Sequence, residues 1–270
     1  MNGFVELTVM STWRRLRSIT RYKLNFAMDL VIGIVMAAGL LIFQYIVNPA
    51  SLQSAVGSAN YFSFLLIGVA FQAYYGIALW GSPGELQNEL TTGQIEYTFA
   101  SPVSRYAYML SYVFSDAIVA TLFQIGPMVV IGAVFSGVSL SLTDISWSLT
   151  VLALTFLAFC QLGVLFSCAL LLFKNVSALS TLMNFLFQFG TGMFVPLQYL
   201  PGALQVLSFV IPLTHGIDLT RHFLMGTKTV WPVEIELGAL IFFLVSLGLL
   251  AKLTVAYVER KAKKEGLSMA

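Results

Sequence analysis

Six stretches of the chain are too apolar and too long for a water-soluble fold: residues 26–47, 61–80, 106–135, 148–173, 176–195 and 237–258. A helix needs about 20 predominantly apolar residues to cross roughly 30 Å of hydrocarbon, and each stretch supplies that length. Hydrophobic residues make up 58% of the chain and charged residues 10%, so the bilayer is the solvent that this fold answers to. Strands of a membrane barrel alternate polar and apolar positions. Residues 30–43 carry no such period, which leaves helices. The expectation is an all-α integral membrane protein with six transmembrane helices. The third run holds 30 residues and contains Gly126-Pro127, which predicts a kinked helix that begins in the cytosol. A net charge of only +2 gives no global field to recruit nucleic acid. Cys160 and Cys168 stand eight residues apart on one predicted helix, about 12 Å, too far for a disulfide, and read as packing residues.

Six spans put both termini on one side, and the basic residues say which. Of the 14 Lys and Arg, all but Arg221 and Lys228 fall in the N-terminal segment, the second and fourth loops, and the C-terminal stretch from Lys252 onward. That bias predicts a multi-pass protein of the cell membrane with both termini cytoplasmic. The first span is too long for a signal-peptide core and has no cleavage pattern behind it, so it is expected to be retained. The expected organisation is a cytoplasmic elbow helix over 1–25, a transmembrane domain over 26–258 and a basic tail over 259–270.

Three segments between spans have character of their own. Residues 4–23 read as an amphipathic helix along the membrane surface, with Val5, Val9, Leu16 and Ile19 clustered, Trp13 at the edge, and Arg14, Arg17 and Arg21 opposite. It serves either to transmit force to the first span or as a plain anchor on anionic lipid. In the cytoplasmic loop 81–105, Ser82-Pro83-Gly84-Glu85 has the capping-box pattern for a short helix, Thr92-Gly93 offers a stop, and Ser101-Pro102 can cap the next helix. Glu85 and Glu89 share a face, with Glu96 joining only if the helix runs through Gly93; this acidic knob is either a solvated loop or a docking element. The outer loop 196–236 is unusually apolar. Its nine-residue run 203–211, broken by Leu200-Pro201-Gly202 before and Pro212 after, cannot span, and predicts a re-entrant hairpin packed on protein.

Polar residues inside the spans are few. Ser177, Thr181, Asn184, Gln188 and Thr191 fall at offsets of 0, 4, 7, 11 and 14, one face of the fifth span. Amides facing lipid are costly, so the stripe is expected to face another helix or a polar path. Gln72 and Tyr75 in the second span and Gln124 in the third are weaker examples. Asp29 lies near the cytoplasmic edge, within reach of Asn25 or the basic segment, and reads as structural; Asp116 lies deeper and is open to a direct role. His215, Asp218 and His222 could share a face as metal ligands, but pairing of Asp218 with Arg221 or His222 is the expected use. No nucleophile elbow, metalloprotease helix or redox cysteine pair appears. Gly226-Thr227-Lys228-Thr229 lacks the upstream glycine and the Gly-Lys step of a phosphate loop, so no nucleotide site is expected.

Two stretches carry a family resemblance. The first runs from Glu89-Leu90-Thr91-Thr92-Gly93-Gln94-Ile95-Glu96 to Ala100-Ser101-Pro102-Val103-Ser104-Arg105; the second is Phe194-Val195-Pro196-Leu197, Leu200-Pro201, and Pro212-Leu213-Thr214-His215-Gly216-Ile217-Asp218 with Arg221. Both resemble the type-2 ATP-binding-cassette transporter permeases, particularly the drug-exporter-like branch, with Gln87 and Gln94 standing where charged residues are common in that family. The resemblance implies a transport subunit, not an enzyme, that pairs with a second copy, as a homodimer or a heterodimer. It also implies a separate ATPase subunit, which would hold ATP and Mg and dock through Glu85, Glu89, Gly93, Glu96, Ser101 and Pro102. By the same resemblance the second and fifth spans line the path, through Gln72, Tyr75, Thr181, Asn184, Gln188 and Thr191. Phe194, Pro196, Leu200, Pro201 and Pro212 would form an outer gate. The expected function is ATP-driven export of an amphipathic or lipophilic compound. Export of a glycan or lipid-linked polymer is the alternative within the family, and an ATP-independent carrier or channel the alternative outside it.

Overall fold

The computed structural model describes residues 2–21, 60–95, 97, 103–136, 141–173 and 175–265, with isolated positions between 24 and 42. Most of the first expected span lies outside the described residues, as do Asp29, Glu96, Ser101 and Pro102. All regular structure among the described residues is helical. In chain order the helices are α1 (Asn2–Arg21), α2 (Tyr61–Thr91), α3 (Arg105–Phe135), α4 (Leu142–Phe173), α5 (Ser177–Gly190), α6 (Gly202–Phe209), α7 (Pro212–Met225) and α8 (Val233–Glu265).

Helices α2, α3, α4 and α8 are each long and apolar enough to cross a bilayer. Taken together, α6 and α7 would make a fifth crossing, though they bend by 94° at their break. The structure therefore carries four or five candidate spans among its described residues, against the six expected. The expected fifth span is one source of the difference. It is helical for only 14 residues, about 21 Å, because the chain turns at Gly192, whose φ of +70° is open to glycine at little cost.

Helix α4 is the centre of the bundle, packed along α8 and also against α2, α3 and α7. Small residues set these approaches: a Cβ at Gly163 would lie 2.9 Å from Val113 Cγ1 and 3.4 Å from Ala78 Cα, so only glycine lets α4 reach both α3 and α2. One core is aromatic, built on Phe71, Tyr74, Tyr75, Phe159 and Phe187. A second is aliphatic, built on Val113, Val164, Leu170 and Val255, and it takes in the buried free thiols Cys160 and Cys168.

Two prolines shape the long helices. Each proline lacks the N–H that its helix would use and crowds the carbonyl four residues earlier. Ahead of Pro127, α3 widens into a π turn at Thr121–Ile125, with Gly126 required because a Cβ there would lie 2.8 Å from Thr121 O. Ahead of Pro83, α2 widens in the same way at Ile77–Gly81. The kink expected in the third run thus takes the form of a wide turn, and the second helix has one too. Pro83 does not start a new helix: Ser82 is helical (φ −65°, ψ −43°), makes no cap, and its hydroxyl pairs with that of Ser167 on α4 at 2.7 Å. The expected capping box is therefore absent, because the wide turn absorbs the proline and α2 runs on to Thr91. Gly93, with φ of +72°, follows its end. The cap of α3 is Ser104, which accepts from Ala107 N–H at 3.5 Å.

Candidate functional site

At one end of the bundle three helices converge through charge. On α1, Phe4, Thr8, Ser11 and Arg15 recur at helical spacing and turn towards α3. The Phe4 and Phe114 rings meet edge to face at 6.1 Å, and Ser115 donates to the Thr8 carbonyl at 3.3 Å. Val5, Val9 and Trp13 are left exposed together on another face of α1. Arg15 then grips two carboxylates. Its guanidinium lies 2.8 Å from Glu85 of α2 and makes contacts of 2.5 and 2.9 Å with the two oxygens of Asp116 of α3. Asp116 is thus the partner of a surface-helix arginine, and its depth in the third run is explained by that pair.

One turn further along, the same two helices meet again. Glu89 accepts from the hydroxyls of Tyr108 and Tyr112, the latter at 3.2 Å, and Arg14 lies over the Tyr112 ring at 5.1 Å. Because α2 and α3 run antiparallel, Glu85 and Glu89 ascend as Asp116, Tyr112 and Tyr108 descend, and the two ladders register. Arg14, Glu85, Glu89, Tyr108 and Tyr112 line a cleft of about 540 Å³ that also reaches Asn88, Thr92 and Tyr97. Glu85 and Glu89 therefore point partly inward, while Gly84, Asn88, Thr92 and Gly93 present an exposed surface. At the same end Arg105 ties α3 to Glu259 of α8 at 3.7 Å.

The polar stripe of α5 lies between a buried face and an exposed one. Ser180 and Phe187 are buried; Leu182, Phe185 and Phe189 are exposed. Between them Thr181 is exposed, Asn184 and Gln188 are half-buried, and Thr191 is buried. Along the stripe Thr181 bonds the Ser177 carbonyl at 2.8 Å, Gln188 bonds Asn184 at 3.5 Å, Thr191 bonds the Phe187 carbonyl, and Ser177 reaches back to Asn175 at 2.7 Å. Across from it the buried Tyr75 hydroxyl lies beside the Gln188 amide, and the Tyr75 and Phe187 rings are 5.5 Å apart. Gln72 is half-buried one turn before Tyr75. What fastens α5 to α2 is Ser180, whose hydroxyl donates at 3.0 Å to the Leu79 carbonyl, the one that Pro83 cannot satisfy.

The far end of the bundle gathers the expected gate residues. The Phe194 carbonyl accepts from the Tyr61 hydroxyl at 2.8 Å, Pro196 leads into a 3₁₀ turn at Leu197–Tyr199, and the Leu200 carbonyl accepts from Gln205 at 2.8 Å. Pro201 precedes α6, and Pro212 opens α7 at its first position. The second motif does not form the pairing expected of it. Asp218 accepts from Val230 N–H at 2.9 Å, His222 bonds the Thr227 carbonyl and His215 the Phe209 carbonyl, while Arg221 donates to main-chain carbonyls. Among the described residues no three acidic, Cys or His side chains gather as a metal ion would need.

Helices with this arrangement of charge and apolar length match a known family: the model for "ABC-2 family transporter protein" fits residues 43–253, most of the chain. The chain belongs to the ABC-2 transporter family. Its apolar helices are accordingly those of a membrane transport component. One similar protein is Nodulation protein J of Rhizobium meliloti (strain 1021), 33% identical over 94 residues. That match spans 35% of this chain and 36% of the relative.

The sequence singled out Glu85, Glu89 and Asp116 but missed Arg15, Tyr108 and Tyr112, which join them. The signal for Arg15 was present: Asp116 needed a cation, and α1 offered arginines in a helical run. What the spacing could not supply was which of those arginines faces the third span.

Proposed function

We propose that the chain is the permease subunit of an ATP-driven exporter that moves an amphipathic or lipophilic compound. It works as a pair of copies joined to separate ATPase subunits. The observation that carries this is the α5 stripe. Amides and hydroxyls on a membrane helix are costly when they face lipid, and Thr181, Asn184 and Gln188 are left partly or fully open by the chain itself. A second copy or a polar path must then cover them. Aromatic and aliphatic side chains stand beside the amides, so the surface that forms would suit a solute with both characters.

In this scheme the α1 end lies in the cytoplasm and the far end outside, as the basic residues suggest. The ATPase subunit docks on the segment from Glu85 to Pro102, meeting the exposed Gly84, Asn88 and Thr92. Glu85 and Glu89 pass its movement to α1 and α3 through Arg15, Tyr108 and Tyr112. Gln72, Tyr75, Thr181, Asn184, Gln188 and Thr191 line the path, and Phe194, Pro196, Leu200, Pro201 and Pro212 form the outer gate. No bond in the solute is made or broken. ATP and Mg act on the ATPase, and the permease contributes different affinities for the solute in two conformations.

The test is co-expression with the candidate ATPase. The expected result is a complex that purifies together, hydrolyses ATP and moves solute in proteoliposomes, with Glu89→Lys retaining insertion and hydrolysis but losing transport. A chain that never associates with an ATPase and transports along an ion gradient instead would overturn the proposal.

A further inference from the structure

At the far end one buried cation joins α2 to the bend after α5, where Gly68 already lies close to the Met193 carbonyl and Phe194 packs on the Phe62, Leu65 and Val69 cluster. Arg221 of α7 donates from Nε and Nη2 to the Phe64 carbonyl of α2 at 3.0 and 2.7 Å. It also donates from Nη1 to Gly192 O and from Nη2 to Met193 O, each at 2.8 Å, in the bend that follows α5. The guanidinium lies 3.4 Å from the centre of the Phe64 ring, and a Cβ at Gly68 would lie 2.4 Å from Nη2, so α2 is shaped to receive it. Tyr61, less than one turn before Phe64, adds its bond to the Phe194 carbonyl. The Ser180 bond to Leu79 holds the other end of α5.

The geometry points to Arg221 as a latch: with Tyr61, it holds the far end of α2 against the bend after α5, and release of its carbonyl acceptors opens the path at that mouth. This rests on α2 and α5 lining the path. Carbonyl acceptors suit a latch better than a carboxylate would. A buried ion pair, once split, leaves two uncompensated charges, whereas the acceptors here are neutral carbonyls and water entering the mouth can replace each in turn. Gly192 and Met193 lie outside any helix, so their carbonyls can turn away without unwinding one. A planar guanidinium serves several carbonyls at once; an ammonium of the same charge cannot. Arg221 is a positioning residue on this account and need not touch the solute.

The test uses the permease–ATPase complex in nanodiscs, with both native cysteines replaced by serine and a reporter introduced as Gln188→Cys. A membrane-impermeant thiol reagent is added without nucleotide, and the rate of labelling is followed. Arg221→Lys should raise the rate about fivefold or more, the factor that corresponds to roughly 1 kcal/mol of lost latch. Tyr61→Phe should raise it by less, and a Ser177→Cys reporter at the other end of α5 should not change with either substitution. An unchanged rate in a folded Arg221→Lys complex overturns the latch, and so does an equal rise at Ser177→Cys, which marks general loosening. If Arg221→Lys does not fold, Tyr61→Phe decides: a raised rate at Gln188→Cys supports the latch and an unchanged rate overturns it. Failure of the complex to hydrolyse ATP would count against the exporter proposal and leaves the labelling comparison standing.

Discussion

Replacing Arg15 with alanine should destabilise the fold by about 2–3 kcal/mol, and the loss should come through Asp116. The Asp116 side chain is only 11% exposed, and both its oxygens lie on the Arg15 guanidinium. Removing one partner of a fully buried ion pair costs about 3–5 kcal/mol, because the other charge is left without compensation. Arg15 and Glu85 are 34% and 33% exposed, so water admitted at that edge recovers part of the loss, and the arm to Glu85 adds at most about 0.5 kcal/mol. Asp116→Asn removes the charge that needs Arg15 and should cost less. The pair Arg15→Met with Asp116→Leu, which keeps volume and discards both charges, should return to within about 1 kcal/mol of the parent. Denaturant titration of the purified chain in lipid, followed by tryptophan fluorescence, gives the ranking. If Arg15→Ala lies within about 0.5 kcal/mol of the parent, the adjoining cleft already solvates Asp116 and the account of the triad is wrong. A double variant no better than Arg15→Ala would be equally damaging.

Two packing predictions follow from the same contacts. Gly216→Ala places its Cβ 2.4 Å from Thr155 Oγ1 and should destabilise by about 1–3 kcal/mol in thermal unfolding, with Thr155→Ala relieving part of it; additive losses in the double variant would refute the contact. Ser180→Ala leaves the buried Leu79 carbonyl without its hydroxyl partner and should cost about 1–2 kcal/mol, while Ser177→Ala, at an exposed position of the same helix, should cost much less; equal effects would remove the special role of Ser180.

Apolar length and periodicity carried the helices α2, α3, α4 and α8 into view, because crossing hydrocarbon imposes a length that the sequence displays openly. The resemblance in the two motifs pointed to the family that the match over residues 43–253 establishes. The end of α5 was less legible. Residues 176–195 look like one apolar run, and only Gly192 at positive φ, with Ser208 drawing on the Gly190 carbonyl and Arg221 on those of Gly192 and Met193, shows that the helix stops early. Those partners come from 18 or more residues away in sequence, beyond any local pattern.

Pro83 shows why a correct local rule can mislead here. Ser-Pro-Gly-Glu is a sound helix start where the preceding chain is free to leave the helix. In this chain Tyr74, Ala78 and Leu79 are already buried among α3, α4 and α5, so ending the helix at Gly81 would mean uncovering that core. A π turn costs less: it takes in one extra residue, gives the proline room, and leaves Leu79 O to Ser180. The extra residue also rotates everything beyond it by about 100° relative to a straight continuation. Glu85 and Glu89 consequently face Arg15 and the tyrosines of α3 and are drawn away from open solvent. A proline that reads in sequence as the start of a separate helix thus acts in the fold to aim two carboxylates, and it is the packing of α2 upstream, settled by tertiary contacts, that decides between the two roles.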